Sequence, residues 1–230
     1  MCGRKTLTQD MQSIIEELAI EEWYDNNFHP SFNIAPTQTS PILLGDGKSR
    51  IVKPMEWGLI PSWSKDESIG SKMINARSET LTEKPSFQNL INQNRCVVIA
   101  DGYFEWKRRN DGSQPFYISH PKNKLLPMAG LWTTWESSTS NIIHSYTVIT
   151  TSPQKEIRHI HNRMPVILNP MSIDEWIFCD ITPSNQAITN LVPYTIPLNF
   201  NPVSTFVNSP NNNTIDCIRS TKDTSTLNLF

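Results

Sequence analysis

The stretch RCVVIADGYFEWK, residues 95–107, decides the fold class. Its Val, Ile, Tyr, Phe and Trp side chains suit a pleated, half-buried surface, so it reads as strand. Outward from it, QPFYIS at 114–119, LPMAGLWTTW at 126–135, HSYTVITT at 144–151 and MPVIL at 164–168 are further strand-like runs, separated by polar or Gly/Pro segments. Upstream, PILL at 41–44 and RIVKPMEWGLI at 50–60 flank GDGK, the pattern of a hairpin connection. No strand–helix–strand alternation accompanies these runs, which predicts an α+β fold built on a large, mainly antiparallel sheet system.

Helices punctuate the strands. The segment TQDMQSIIEELAIEEW at 8–23 carries Met11, Ile14, Ile15, Leu18 and Ala19 at helical spacing, with Asp10 where the helix dipole favours an anion. Shorter helices are expected from Pro85, containing Phe87, Leu90 and Ile91, and from Pro153, containing Ile157, Ile160 and His161. Ser172 and Glu175 form a capping-box pattern, and Ser184 is expected to cap a run ending at Val192. Periodicity is lost after Phe206. The expected organisation is one domain over residues 1–210 and an extended or poorly ordered C-terminal tail over 211–230.

With 230 residues the chain can bury a substantial core, and no repeat or Gly/Ser linker divides it. No apolar run approaches the roughly 18 residues of a membrane span. The opening MCGRKTLTQDMQSIIEELA lacks the basic and apolar regions of a secretory signal. Cys2, Cys96, Cys179 and Cys217 form no CxxC or Cys/His cluster, so neither a metal site nor a disulfide framework is expected. Reduced thiols point to a cytoplasmic compartment. A net charge of -2 and a pI near 6.2 argue against a diffuse basic surface, so a nucleic-acid role would need a local cationic patch.

Four strings carry candidate chemistry: CGR, NAR, EWK and HNR. In each, a reactive residue (Cys2, Asn75, Glu105, His161) is followed at i+2 by a cation (Arg4, Arg77, Lys107, Arg163). In extended chain, i and i+2 share a face, so four such strands meeting would make a small positive cleft suited to a phosphodiester backbone. Each residue also has an architectural reading. His161 can cap or pack, Glu105 can face solvent on an alternating strand, Asn75 can make a turn, and Cys2 can be incidental. Trp57, Trp63, Trp106, Trp132 and Trp135 read first as packing residues, with any exposed minority able to stack on unpaired bases.

Methionine is generally trimmed when the next residue is small, so the mature chain is expected to start at Cys2. Its α-amine, with a typical pKa of about 7.7 to 8.0, would be partly neutral and nucleophilic at physiological pH. Beside the thiol it forms a 1,2-aminothiol, which condenses with an aldehyde to an imine and closes to a thiazolidine. In DNA the natural aldehyde is the ring-opened abasic site, flanked by phosphates.

MCGR at 1–4, NIAPTQ at 33–38, WGLIPSW at 57–63, INARSET at 74–80, ADGYFEWK at 100–107 and IHNRMPVIL at 160–168 resemble, in order and spacing, the SOS-response-associated peptidase (SRAP) family of abasic-site-processing proteins. The resemblance implies a single domain with a barrel-like sheet core flanked by short helices. It implies that Cys2, freed by loss of Met1, forms a covalent thiazolidine DNA–protein crosslink with an abasic site in single-stranded DNA. Asn75 resembles the family's site-sensing residue, and Glu105 and His161 match its acid/base residues. Arg4, Arg77 and Arg163 fall where the family binds phosphate, with Trp63, Trp106 and Lys107 as further DNA contacts. Strand cleavage by β-elimination and reversal of the crosslink are implied side activities. No cofactor, metal or membrane is implied, and the expected form is a monomer in the cytoplasm, at damaged DNA in the nucleoid. Two alternatives stay open: a cysteine-type (auto)peptidase with Cys2 as nucleophile, and a non-catalytic single-stranded-DNA-binding module. The polar loop SKDESIGSKM at 64–73 departs from the family pattern and leaves the DNA-wedging residues around Trp63 unassigned.

Overall fold

The computed structural model describes residues 2–110 and 112–221. In chain order its strands are β1 (Lys5–Leu7), β2 (Glu22–Trp23), β3 (Ser31–Ile34), β4 (Thr39–Asp46), β5 (Ser49–Trp57), β6 (Asn75–Arg77), β7 (Arg95–Val98), β8 (Gly102–Arg109), β9 (Gly112–Ser119), β10 (Met128–Glu136), β11 (Ile142–Thr151), β12 (Met164–Pro165) and β13 (Asn199–Pro202). Strands β11, β10, β7, β4 and β5 pair in succession, and a parallel β11–β5 contact through Ser145–Glu56 and Tyr146–Trp57 closes them into a barrel. β12 and β6 extend it along β11, and β2 along β5. A second, antiparallel sheet runs β13-β9-β8-β1-β3. The α+β, single-domain expectation is therefore met.

The 95–107 stretch carries the chain from one sheet to the other. All four β7 residues are buried, and the Arg95 guanidinium is satisfied there by the carbonyls of Trp176, Ile91 and Thr182. At the crossing, the Asp101 carboxylate accepts from Thr6 Oγ1, Thr8 N, Thr8 Oγ1 and Gln9 N, while its own N–H donates to Thr6 O. This clamps β1 between β8 and β3. Gly102 is required because a Cβ there would lie 2.4 Å from the Tyr117 ring and hydroxyl.

The amphipathic segment forms α1 (Met11–Leu18), capped by Asp10, which accepts from Ser13 N, and ended by Ala19 in the left-handed region at φ 47. The 45–48 turn joins β4 to β5 as expected, with Gly47 at φ 61. The other helices are shorter than their spacing implied: α2 (Leu90–Gln93), α3 (Ile173–Ile177) and α4 (Ser184–Ala187). After Pro153 the chain makes turns over 155–160 rather than a helix. The capping box is not formed: Ser172 makes no side-chain cap bond, and Asn169 instead caps the turn before α3. Ser184 lies inside α4, whose N-cap is Pro183.

Residues 211–221 are not an extended tail. Cys217 is fully buried in a second cluster with Phe104, Val203 and Val207, and Ser220 bridges to Val203. The segment lacks periodicity because short turn bonds and side chains from distant strands, rather than a ladder, satisfy its backbone. Asn33 Nδ2 donates to Val207 O, Ser209 O and Asn212 O. Residues 222–230 lie outside the described residues. Among the described residues, no helix is long and apolar enough to cross a membrane.

Asp101 holds the N-terminal strand through bonds to a buried carboxylate. Asp101→Ala is expected to lower the unfolding free energy by about 2 to 4 kcal/mol in chemical denaturation. A loss well under 1 kcal/mol would show that β1 is held by its ladder alone.

Candidate active site

Strand β8 has two covered faces. Phe104 and Trp106 point towards the second cluster, beneath residues 203–217. Tyr103 and Glu105 share the opposite face, and Lys5 of β1 pairs with Tyr103, so these three polar side chains enter the space between the sheets together. All three are buried, as is Cys2. Glu105 is thus not the solvent-facing strand residue that alternation allowed.

Cys2 is fixed through its backbone: Asn75 Nδ2 donates to Cys2 O at 2.7 Å, and the thiol lies 3.8 Å from Arg4 O. Asn75 is placed by β6, which pairs in parallel with β11 at Val148. Its Oδ1 is buried and has no hydrogen-bond partner among the described residues. His161 Nδ1 lies 3.8 Å from Glu105 Oε1 and accepts from Arg163 N at 3.1 Å. Nδ1 also lies 3.3 Å from Arg163 O, to which the other tautomer donates, so either ring nitrogen of the neutral imidazole can carry the hydrogen. The four candidate residues, drawn from four separate segments, therefore converge.

Burial dominates the electrostatics. It pushes the Cys2 thiol up to about 12, reinforced by the Glu105 charge, and lifts Glu105 to about 7. It lowers His161 below its usual value, so the contact with Glu105 joins a carboxyl group to a neutral imidazole and is not an ion pair. It also brings Lys5 down to about 7, although Asp101 opposes this; Lys5 Nζ donates to Ser40 Oγ at 2.6 Å and Ile99 O at 3.0 Å. At neutral pH the thiol is protonated, while Glu105 sits where it can both take and give a proton.

The cations part company. Arg4 points inward and donates to Asn33 Oδ1, Val207 O and Asn208 O, so it anchors the C-terminal segment instead of facing a phosphate. Arg163 is forked onto Glu79, with Nη1 and Nη2 at 2.7 and 2.8 Å from the two carboxylate oxygens. Arg77 is exposed and makes no salt bridge among the described residues. Lys107 and half-buried Trp106 line a groove of about 460 Å³ with Arg108, Arg158, His159 and His161. Trp106 Nε1 also donates to Asn208 Oδ1. Trp63 is 61% exposed on the loop after β5.

Asp101, Lys5, Tyr103 and Glu79 escaped the sequence reading because their roles are set by contacts between distant segments. Arg108 and Arg158 were visible as the runs KRR at 107–109 and RHIHNR at 158–163, beside two residues already singled out. Among the described residues, no group of three or more His, Cys, Asp or Glu is arranged to hold a metal ion.

A β-barrel joined to a second sheet, with Cys2 and a carboxyl group between them and an imidazole at their edge, matches a known protein class. The profile of the SOS response associated peptidase (SRAP) family matches residues 1–210, and the chain belongs to that family. The abasic site processing protein YoqW of Bacillus subtilis is 40% identical over 223 residues, covering 96% of this chain and 100% of YoqW. The abasic site processing protein HMCES of Gallus gallus is 34% identical over 230 residues, covering 86% of this chain and 68% of its own. A crystal structure of a Bacteroides thetaiotaomicron protein superposes with a TM-score of 0.85 at 23% identity, covering 95% of this chain and 99% of that one, which shows the shared fold.

Glu105 has its folded-state pKa raised from 4.5 to about 7, so the folded protein holds this proton more tightly than the unfolded chain. The associated stability is complete below about pH 4.5 and is lost as pH rises through about 7. Glu105→Gln is therefore expected to match the wild type near pH 4.5 and to exceed it by up to about 3 kcal/mol at about pH 8, measured by urea denaturation. Parallel pH profiles for the two proteins would contradict the shift.

Proposed function

We propose that this protein processes abasic sites in single-stranded DNA by forming a covalent thiazolidine through Cys2. The observation that carries this reading is the convergence of Cys2, Asn75, Glu105 and His161 beside a cationic groove. The names of the relatives, abasic site processing proteins, support the substrate.

Loss of Met1 frees the Cys2 α-amine. Glu105 accepts the proton from the C1′ hydroxyl as the deoxyribose opens, and His161, in the tautomer protonated at Nε2, donates to the ring oxygen. The amine adds to the aldehyde and expels water, leaving an imine. The thiol then adds across the C=N bond: the new bond is S–C1′, and the thiol proton passes through Glu105 to the nitrogen. Because burial holds the thiol protonated, the step needs such a base at hand; Glu105 and Lys5, both at about 7 in the same buried space, can serve, and Glu105 also reaches His161. Asn75 holds the Cys2 carbonyl, and its buried Oδ1 accepts from the amine or a sugar hydroxyl. Arg77, Lys107, Arg108 and Arg158 take the flanking phosphates, and Trp106 lines the groove as a stacking surface. An imine that does not close is open to β-elimination, which makes strand cleavage a side path.

Incubation of protein lacking Met1 with a single-stranded oligonucleotide carrying one abasic site should give a heat-stable adduct on a denaturing gel and the matching mass. Absence of an adduct from such protein ends the reading. Cys2→Ser should leave only an imine that borohydride traps, and an undiminished heat-stable adduct would exclude the aminothiol route.

Arg77→Ala should weaken binding to that strand and flatten the dependence of log K on log salt by about 0.7. Equal slopes would place the phosphates elsewhere.

A further inference from the structure

We propose that Glu79 is a built-in phosphate surrogate: its carboxylate occupies the seat on Arg163 that a DNA phosphate takes, and strand entry displaces it. This rests on the reading of the cleft as a DNA site. Glu79 follows β6 directly, in the turn Ser78–Thr80, two residues beyond exposed Arg77. Its two oxygens accept from the two terminal nitrogens of Arg163 at 2.7 and 2.8 Å, the parallel fork by which a guanidinium also grips two phosphate oxygens.

The two partners are unequally held. Arg163 is mostly buried: its Nη2 also donates to Thr150 O, and its backbone N–H donates to His161 Nδ1, which ties it to the imidazole of the active site. Glu79 is half exposed, and among the described residues its carboxylate bonds only to Arg163 and local turn groups. The carboxylate side of the fork is open to solvent, so an incoming phosphate can reach it and offer Arg163 the same two oxygens that Glu79 gives up. Arg163 Nε, buried and without an acceptor among the described residues, leaves the guanidinium with an unused donor. Thr150 pairs with Arg77 in the β11–β6 ladder and accepts from Arg163, so the two arginines flank one backbone position. One is open, and the other is closed by Glu79.

Without DNA, Glu79 neutralises Arg163 and holds its rotamer. With DNA, a phosphate replaces the carboxylate next to His161, and the exchange weakens binding to strands that gain nothing else from the site.

The test uses protein lacking Met1 and a fluorescent single-stranded oligonucleotide bearing a tetrahydrofuran abasic analogue, which cannot form an imine, read by anisotropy at several salt concentrations. Glu79→Gln should bind about three- to fivefold more tightly at low salt, with a slope of log K against log salt steeper by about 0.7. The gain should vanish in an Arg163→Gln background. Unchanged or weaker binding by Glu79→Gln, while the wild type binds, overturns the proposal and leaves the DNA reading standing. If the wild type neither binds this strand nor forms the adduct, the DNA reading itself fails. Should Glu79→Gln not fold, Glu79→Asp decides: it keeps the charge but shortens the reach, and tighter binding by a smaller factor is expected. Unchanged or weaker binding by Glu79→Asp would then overturn the proposal.

Discussion

Insertion of Lys5–Leu7 between β8 and β3, locked by the Asp101 carboxylate, is the constraint on which the rest of the site depends. A chain segment so near the N-terminus would ordinarily fray. Here it is an interior strand with ladder partners on both sides, and its four contacts to Asp101 fix where it enters the sheet. Cys2 is thereby delivered into the space between the barrel and the second sheet, where Asn75 from β6 meets its carbonyl. Any chemistry at Cys2 needs the residue held in place, and the clamp holds it.

The same placement sets the protonation states. Cys2, Lys5, Tyr103 and Glu105 share a buried volume, and burial pushes each towards neutrality: acids up, Lys5 down. His161, at the edge, is also shifted towards its neutral form. A site of neutral groups lacks strong fixed charge of its own, and the exposed cations stand outside it, on the groove and on β6, where the proposed function puts the phosphates. Separating proton transfer inside from charge recognition outside lets each be tuned without disturbing the other.

Much of the fold was legible because local pattern and tertiary role agree. The 8–23 segment has the cap and the stripe that α1 needs, and the Gly-containing turn between β4 and β5 allows one tight connection. Where they disagreed, the sequence reading failed for a common reason. The aperiodic C-terminal segment up to residue 221 looks like a tail because Asn33 and Arg4, far away in the chain, satisfy its carbonyls. That same segment covers the Phe104 and Trp106 face of β8, and the opposite face, with Glu105, is buried between the two sheets, so neither face is the solvent-facing one that alternation allowed. Arg4 was read as a phosphate contact for its position after Cys2, yet its guanidinium has three acceptors waiting inside the fold.

By itself, the sequence determined the sheet-rich class, the leading helix and the set of candidate residues, since these are written in periodicity, turn chemistry and residue type. Only the tertiary structure decided which cations face outward, which carboxyl group is lifted towards neutral pH, and that Arg163 already holds an anion in Glu79. Those properties depend on burial and on partners 84 to 204 residues away in the chain, and no local pattern encodes them.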